Sequence, residues 1–150
     1  MLDASKLAKI RVAKEGHYYR ITLAYPERRN AIGPQMTNEL LHALADAHAD
    51  SAVRVVILEG EGKSFCAGGD FQQMTSRGDG PTLASKGDYA DLLLAMVRSE
   101  KPILCKVHGH AMGGGLGLVA ASTMAFASSD AQLGTPEVNV GLFPMMIMAV

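Results

Sequence analysis

Two short apolar runs constrain this chain most: VRVVILEG at 53–60 and ILCKVH at 103–108. Each has strand length and β-branched residues, and each is followed by a glycine-rich segment, FCAGGD at 65–70 and GHAMGGG at 109–115. Between them lies YADLLLAMVRSE (89–100), with helical character, broken by Lys101-Pro102. Strands separated by a helix pair in parallel through a crossover, so these runs predict an α/β fold. The run 53–60 reads as a strand covered on both faces.

The remaining elements extend the pattern. KIRVAK and HYYRITLAY alternate around Glu15-Gly16 and predict a hairpin. PERRN (26–30) is a charged loop. Pro34 then opens a helix in which Met36, Leu40, Leu41, Leu44 and Ala47 recur at helical spacing. Asp70 reads as the cap of a short helix over FQQM, and 76–88 as a polar, mobile surface loop. LGLVAAS predicts a short helix, and TMAFAS and AQLG predict short strands.

At 150 residues the chain is read as one domain, and 48% hydrophobic residues suffice for a core. Fourteen Lys and Arg against fifteen Asp and Glu give a net charge of −1, which points away from nucleic acid. Cys66 and Cys105 lie far apart in apolar runs, which fits a reducing compartment better than a disulfide framework. The N-terminus lacks a signal-peptide core, and no uninterrupted run of about 18 apolar residues predicts a membrane span. The expected location is the cytoplasm. The final stretch, GLFPMMIMAV, has no polar tail, cap or stop signal. It reads as the interior of a longer protein.

Glycine in a helix costs about 1 kcal/mol against alanine. Gly113, Gly114 and Gly115 beside an apolar helical run therefore require a reason. One is a bend where no Cβ fits; another is close approach of a ligand to bare backbone. In open α/β folds ligands bind at the carboxyl ends of strands. Helix N-termini there offer N–H groups and the positive end of the helix dipole. Two such groups aimed at one point form an oxyanion hole. Other readings compete. GLGLVA (115–120) matches the dinucleotide pattern G-x-G-x-x-A, although it does not begin at a strand end. Cys105, His108 and His110 resemble a metal cluster only loosely, since 105 and 108 face opposite sides of a strand. Cys66 precedes a glycine loop but has no paired His, and is read as a small apolar residue.

PERRNAI, FCAGGDF, KPILCKVHGHAMGGG and GTPEVNVGLFP, in this order, resemble the enoyl-CoA hydratase/isomerase (crotonase) family. The resemblance covers nearly the whole chain. It implies a crotonase-like ββα spiral core over 1–150, lacking the family's C-terminal helical trimerisation region. For the whole protein it implies a homotrimer or a dimer of trimers. The substrate it implies is an acyl-CoA or enoyl-CoA thioester, with no cofactor beyond that coenzyme A, no metal and no membrane partner. Gly69 and Gly114 would donate backbone N–H groups to the thioester oxygen, and Glu137 would be the acid/base. Ala67 and its neighbours Gly68, Asp70 and Phe71 would line the substrate site with Ala31, Met112, Gly113 and Pro136. Arg28 or Arg29 would meet the CoA phosphates.

The family's hydratases carry a further glutamate two residues after the glycine triple, where this chain has Gly117. One carboxylate suffices to move a proton from C2 to C4 of a 3-enoyl thioester. The expected reaction is enoyl-CoA isomerisation or hydration; decarboxylation, carbon–carbon bond formation and binding without catalysis remain alternatives. A carboxylate base works best in apolar surroundings, and Val138, Val140, Leu142 and Phe143 are the expected source.

Overall fold

The computed structural model describes residues 2–70, 83–141, 143 and 147. The hairpin forms as expected. Strands β1 (Ile10–Glu15) and β2 (Tyr18–Leu23) pair antiparallel from Ile10 opposite Leu23 to Glu15 opposite Tyr18. Gly16 turns the chain between them with φ of 61°. Helix α1 (Pro34–Ala49) opens at its proline and carries the chain to β3 (Val55–Gly60), parallel to β2.

Helix α2 (Tyr89–Val97) leads to β4 (Ile103–Val107). It starts with a capping box in which Asp88 accepts from the Ala90 and Asp91 amides and Asp91 accepts from the Asp88 amide. Next come β5 (His110–Met112), helix α3 (Gly114–Ala120), β6 (Met124–Ala127), β7 (Gln132–Gly134) and a 3-10 turn over Pro136–Val140. The main sheet has the order β1-β2-β3-β4-β6, and β5 and β7 form a second sheet.

One face of the main sheet makes the core. Ile21 and Leu23, Val56 and Leu58, and Ile103, Cys105 and Val107 alternate inward, as a pleated strand requires. They belong to one apolar cluster with Met36, Leu40 and Leu44 of α1, Leu92 and Met96 of α2, and Leu118 of α3. The opposite face corrects the expectation that 53–60 is covered on both sides. Glu59 there is paired with Arg20 at 3.2 Å and Lys106 at 2.7 Å, and Arg20 also reaches Glu15 at 3.1 Å. β3 is apolar enough to be central, but on its outward face the charged Glu59 follows the half-buried Val55 and Ile57.

Glu39 is a buried carboxylate on α1 with a structural task. It accepts the backbone N–H groups of Ala8, Lys9 and Ile10 at 3.0, 2.8 and 3.1 Å, and the Gln35 amide at 3.1 Å. This ties the segment leading into β1 to the helix. Glu39→Ala leaves three backbone donors without their acceptor, and each such loss costs about 1–3 kcal/mol. Water regains part of this at 8 and 9, so a net loss of about 3 kcal/mol is expected in urea unfolding.

Candidate active site

The segments singled out in the sequence lie side by side as rungs of a parallel ladder. The Ala67 amide donates to the Arg29 carbonyl at 2.9 Å. The Ile32 amide donates to Gly68 at 2.8 Å, and the Asp70 amide donates back to Ile32 at 2.9 Å. On the other side of the same segment, the Cys66 amide donates to His110 and the Met112 amide to Cys66, each at 3.0 Å. β5 then pairs with β7, and the Gly113 amide donates to Gly134 at 2.8 Å. The order 29–32, 66–70, 110–113, 132–134 places Pro136 and Glu137 directly after the last rung.

GHAMGGG was expected to run from strand to helix as a loop. It instead contains β5, because its extended backbone finds partners on both sides. The first rung is held by Asn30, whose quoted segment carried no role for it. Arg29 and Asn30 both have left-handed backbone, with φ of 52° and 55°. The fully buried Asn30 amide pays for this locally: its Oδ1 accepts from Tyr25 at 2.8 Å, and its Nδ2 donates to Glu61 at 2.9 Å and Ser64 at 2.8 Å.

The ladder pattern determines which backbone groups face outward. In the parallel bridge between Ile32 and Gly69, the hydrogen bonds use the residues flanking Gly69, so the Gly69 N–H points away from Ile32. Gly114 is the first residue of α3, and its N–H has no helical carbonyl one turn earlier. The two segments are packed close. A Cβ on Gly68 would lie 3.1 Å from the Met112 carbonyl oxygen, and one on Gly115 would land on the Cys66 carbonyl oxygen, 2.8 Å from the Cys66 Cβ.

Gly113 answers both halves of the glycine question. Its φ of 49° favours glycine, and a Cβ there would overlap the Glu137 carboxylate, 3.1 Å from its Cδ. Glu137 therefore lies against the glycine turn. Its Oε2 is buried and has no hydrogen-bond partner among the described residues. Of the flanking residues expected to shield it, Val138 and Phe143 do not: they are 61% and 70% exposed. The side chains of Val140 and Leu142 lie outside the description, as does Phe71.

Tyr89, at the start of α2, was missed by sequence reasoning. Its hydroxyl donates to the Gly114 carbonyl at 2.5 Å. Burial first, and then the neighbouring Cys66 thiol, should it ionise, and the Glu137 carboxylate, push its ionisation above the usual tyrosine range. No spacing or motif links residue 89 to 114; only the packing of α2 on α3 does.

The other expected residues take these places. Arg28 reaches the buried Asp70 carboxylate at 3.5 Å, tying the first rung to the second. Asp70 is thus an ion-pair partner as well as a ladder donor, and the FQQM segment it was expected to cap lies outside the described residues. Arg29 is exposed, and Ala31 and Met112 are partly buried beside the ladder. Pro136 opens the turn that carries Glu137. Cys66 is fully buried, and burial pushes its thiol up to about 11, against a nucleophilic role. Gly115–Ala120, the dinucleotide-like stretch, lies inside α3 and not at a strand-to-helix turn. Among the described residues, no group of three or more His, Cys, Asp or Glu is placed to hold a metal ion, and no helix is long and apolar enough to cross a membrane.

Known proteins resemble this chain in sequence and fold. Residues 14–150 match the family model of enoyl-CoA hydratase/isomerase. A probable enoyl-CoA hydratase of Bacillus subtilis is 39% identical over 119 residues, covering 77% of this chain and 45% of that protein. The short-chain-enoyl-CoA hydratase of Clostridium acetobutylicum is 32% identical over 142 residues, covering 93% of this chain and 54% of that protein. A solved structure from Legionella pneumophila, assigned as an enoyl-CoA hydratase/isomerase (crotonase), superposes with a TM-score of 0.84 at 32% identity. It covers 95% of this chain and 56% of that one. The chain thus spans about half the length of the curated relatives it matches. The crotonase-like α/β core expected from the sequence is the fold observed, and the chain belongs to the enoyl-CoA hydratase/isomerase family.

Proposed function

We propose that the chain carries the enolate-stabilising site of an acyl-CoA enzyme that isomerises 3-enoyl-CoA to 2-enoyl-CoA with Glu137 as its single base. The observation that carries this reading is the Glu137 carboxylate, buried at Oε2, unpartnered among the described residues and set against the glycine turn. A carboxylate in that state lacks a donor, and a substrate proton supplies one.

The steps follow from the backbone. The thioester oxygen accepts from the N–H groups of Gly69 and Gly114. Glu137 removes a proton from C2, and the electrons of that C–H bond pass through the carbonyl onto the oxygen. The enolate then collapses, the double bond moves from C3–C4 to C2–C3, and the same proton returns at C4. Atoms and charge balance with one base. Each oxyanion donor contributes about 2.7–4 kcal/mol to lowering such a barrier. Arg28 or Arg29 would meet the CoA phosphates, Ala67 the adenine, and Ala31, Gly68, Phe71, Met112 and Pro136 the rest of the thioester. No separate cofactor is needed. For the whole protein a trimer or dimer of trimers, in the cytoplasm, accompanies this reading.

Hydration of a 2-enoyl-CoA is the second reading, favoured by the hydratase names of the relatives. Absorbance of the conjugated enoyl thioester separates the two. Growth of the conjugated band from 3-enoyl-CoA is the expected result. Loss of the band from 2-enoyl-CoA would instead establish water addition. No change with either substrate, while CoA esters still bind, would sink both.

A further inference from the structure

The glycine triple has an anchoring problem. Three consecutive residues without side chains give the start of α3 nothing of its own to hold it, and glycine has the most backbone freedom to lose. The anchor comes from another helix. Tyr89 reaches from the first turn of α2, and its hydroxyl donates to the carbonyl oxygen of Gly114 at 2.5 Å. The capping box of Asp88 and Asp91 fixes that turn in place. Around the hydroxyl, the space is fully used. A Cβ built on Gly117 would clash with the Tyr89 Oη and, at 2.7 Å, with the Ile147 Cγ2, and would lie 3.4 Å from the Tyr89 Cζ; one built on Gly114 would lie 3.6 Å from both Tyr89 atoms.

We infer that Tyr89 is a positioning residue for the reaction: through its bond to the Gly114 carbonyl it fixes the first turn of α3, and with it the direction of the Gly114 N–H toward the thioester oxygen, while a glycine at 117 leaves room for the hydroxyl and for Ile147. This rests on the reading of Gly114 as an oxyanion donor. The phenol remains protonated, and so able to donate, because it is buried and stands near the Glu137 carboxylate.

The test is a cycle of Tyr89→Phe, Gly117→Ala and the double variant. The probe is a 2-enoyl-CoA thioester, bound and observed through its carbonyl stretch, beside kcat and KM for 3-enoyl-CoA. The wild-type protein should lower the carbonyl frequency of the bound ester. Tyr89→Phe should return much of that shift toward the free ester and lower kcat about tenfold, with KM little changed. Gly117→Ala crowds the hydroxyl without touching residue 89 and should reproduce the loss of carbonyl shift, with an added cost in stability because its methyl also meets the Ile147 Cγ2 at 2.7 Å. Once the hydroxyl is gone, adding Gly117→Ala should move the carbonyl frequency little further, so the two effects on that frequency are strongly non-additive.

Full retention of the carbonyl shift in Tyr89→Phe, or additive effects in the cycle, would overturn the assignment. If the wild-type protein itself leaves the carbonyl unshifted, the oxyanion reading fails first, which separates the two. Should Tyr89→Phe fold poorly, Gly117→Ala carries the same comparison alone.

Discussion

Replacing Glu137 by Gln lowers isomerisation of 3-enoyl-CoA by a factor on the order of 10²–10⁴, the usual worth of a positioned general base. The amide keeps the shape of the side chain and its place against Gly113, but it cannot take a proton from C2. Affinity for the CoA ester should stay nearly unchanged, because the carboxylate contributes a proton-transfer step and not the main binding contacts. A stopped assay of product formation, with ester affinity measured alongside, checks both halves. Turnover that survives within a few-fold would show that another group removes the proton, and Glu137 would revert to a structural residue of the turn. Loss of turnover together with loss of ester binding would show that the variant had damaged the turn rather than the chemistry.

Gly115→Ala is expected to cost both stability and activity. The added methyl meets the Cys66 carbonyl oxygen and, at 2.8 Å, its Cβ. Both partners are fixed: Cys66 is fully buried and hydrogen-bonded to His110 and Met112 through its backbone. Overpacking of this kind costs about 1–3 kcal/mol, and more where the neighbour is backbone. The gain of alanine over glycine in a helix offsets about 1 kcal/mol of it. A net destabilisation of about 2 kcal/mol is expected in denaturant unfolding. Because the clash pries the second rung from the start of α3, activity should fall further than stability alone explains. An unchanged unfolding midpoint would mean that the two segments separate easily.

How much of this was legible depends on the type of signal. The hairpin, α1 and the parallel strands follow from alternation, helical spacing and Pro34, all local patterns with a period. The glycines could be flagged as costly, but their partners could not be read. Gly113 is set against Glu137, Gly115 against Cys66 and Gly117 against Tyr89, and all three pairings are made across the chain. The ladder was likewise invisible, since its rungs are short, aperiodic and hold their register through single bridges such as 32–69 and 66–111. Glu137, Gly69 and Gly114 became candidates through resemblance to a family, whereas Tyr89 and Asn30 needed the fold. Their roles lie in one bond to a distant carbonyl and in a buried amide with three partners.

The ladder also has a kinetic consequence. Its rungs join residues 32 with 69, 66 with 111 and 112 with 134, so none forms by local zipping. Each needs a loop of the chain to close first, and contacts of that kind slow folding and form late. Ester binding should therefore recover with the slowest phase of refolding, after the hairpin and α1 have gained their signal. A folding intermediate of this protein would have a helix content close to native and no affinity for its ligand.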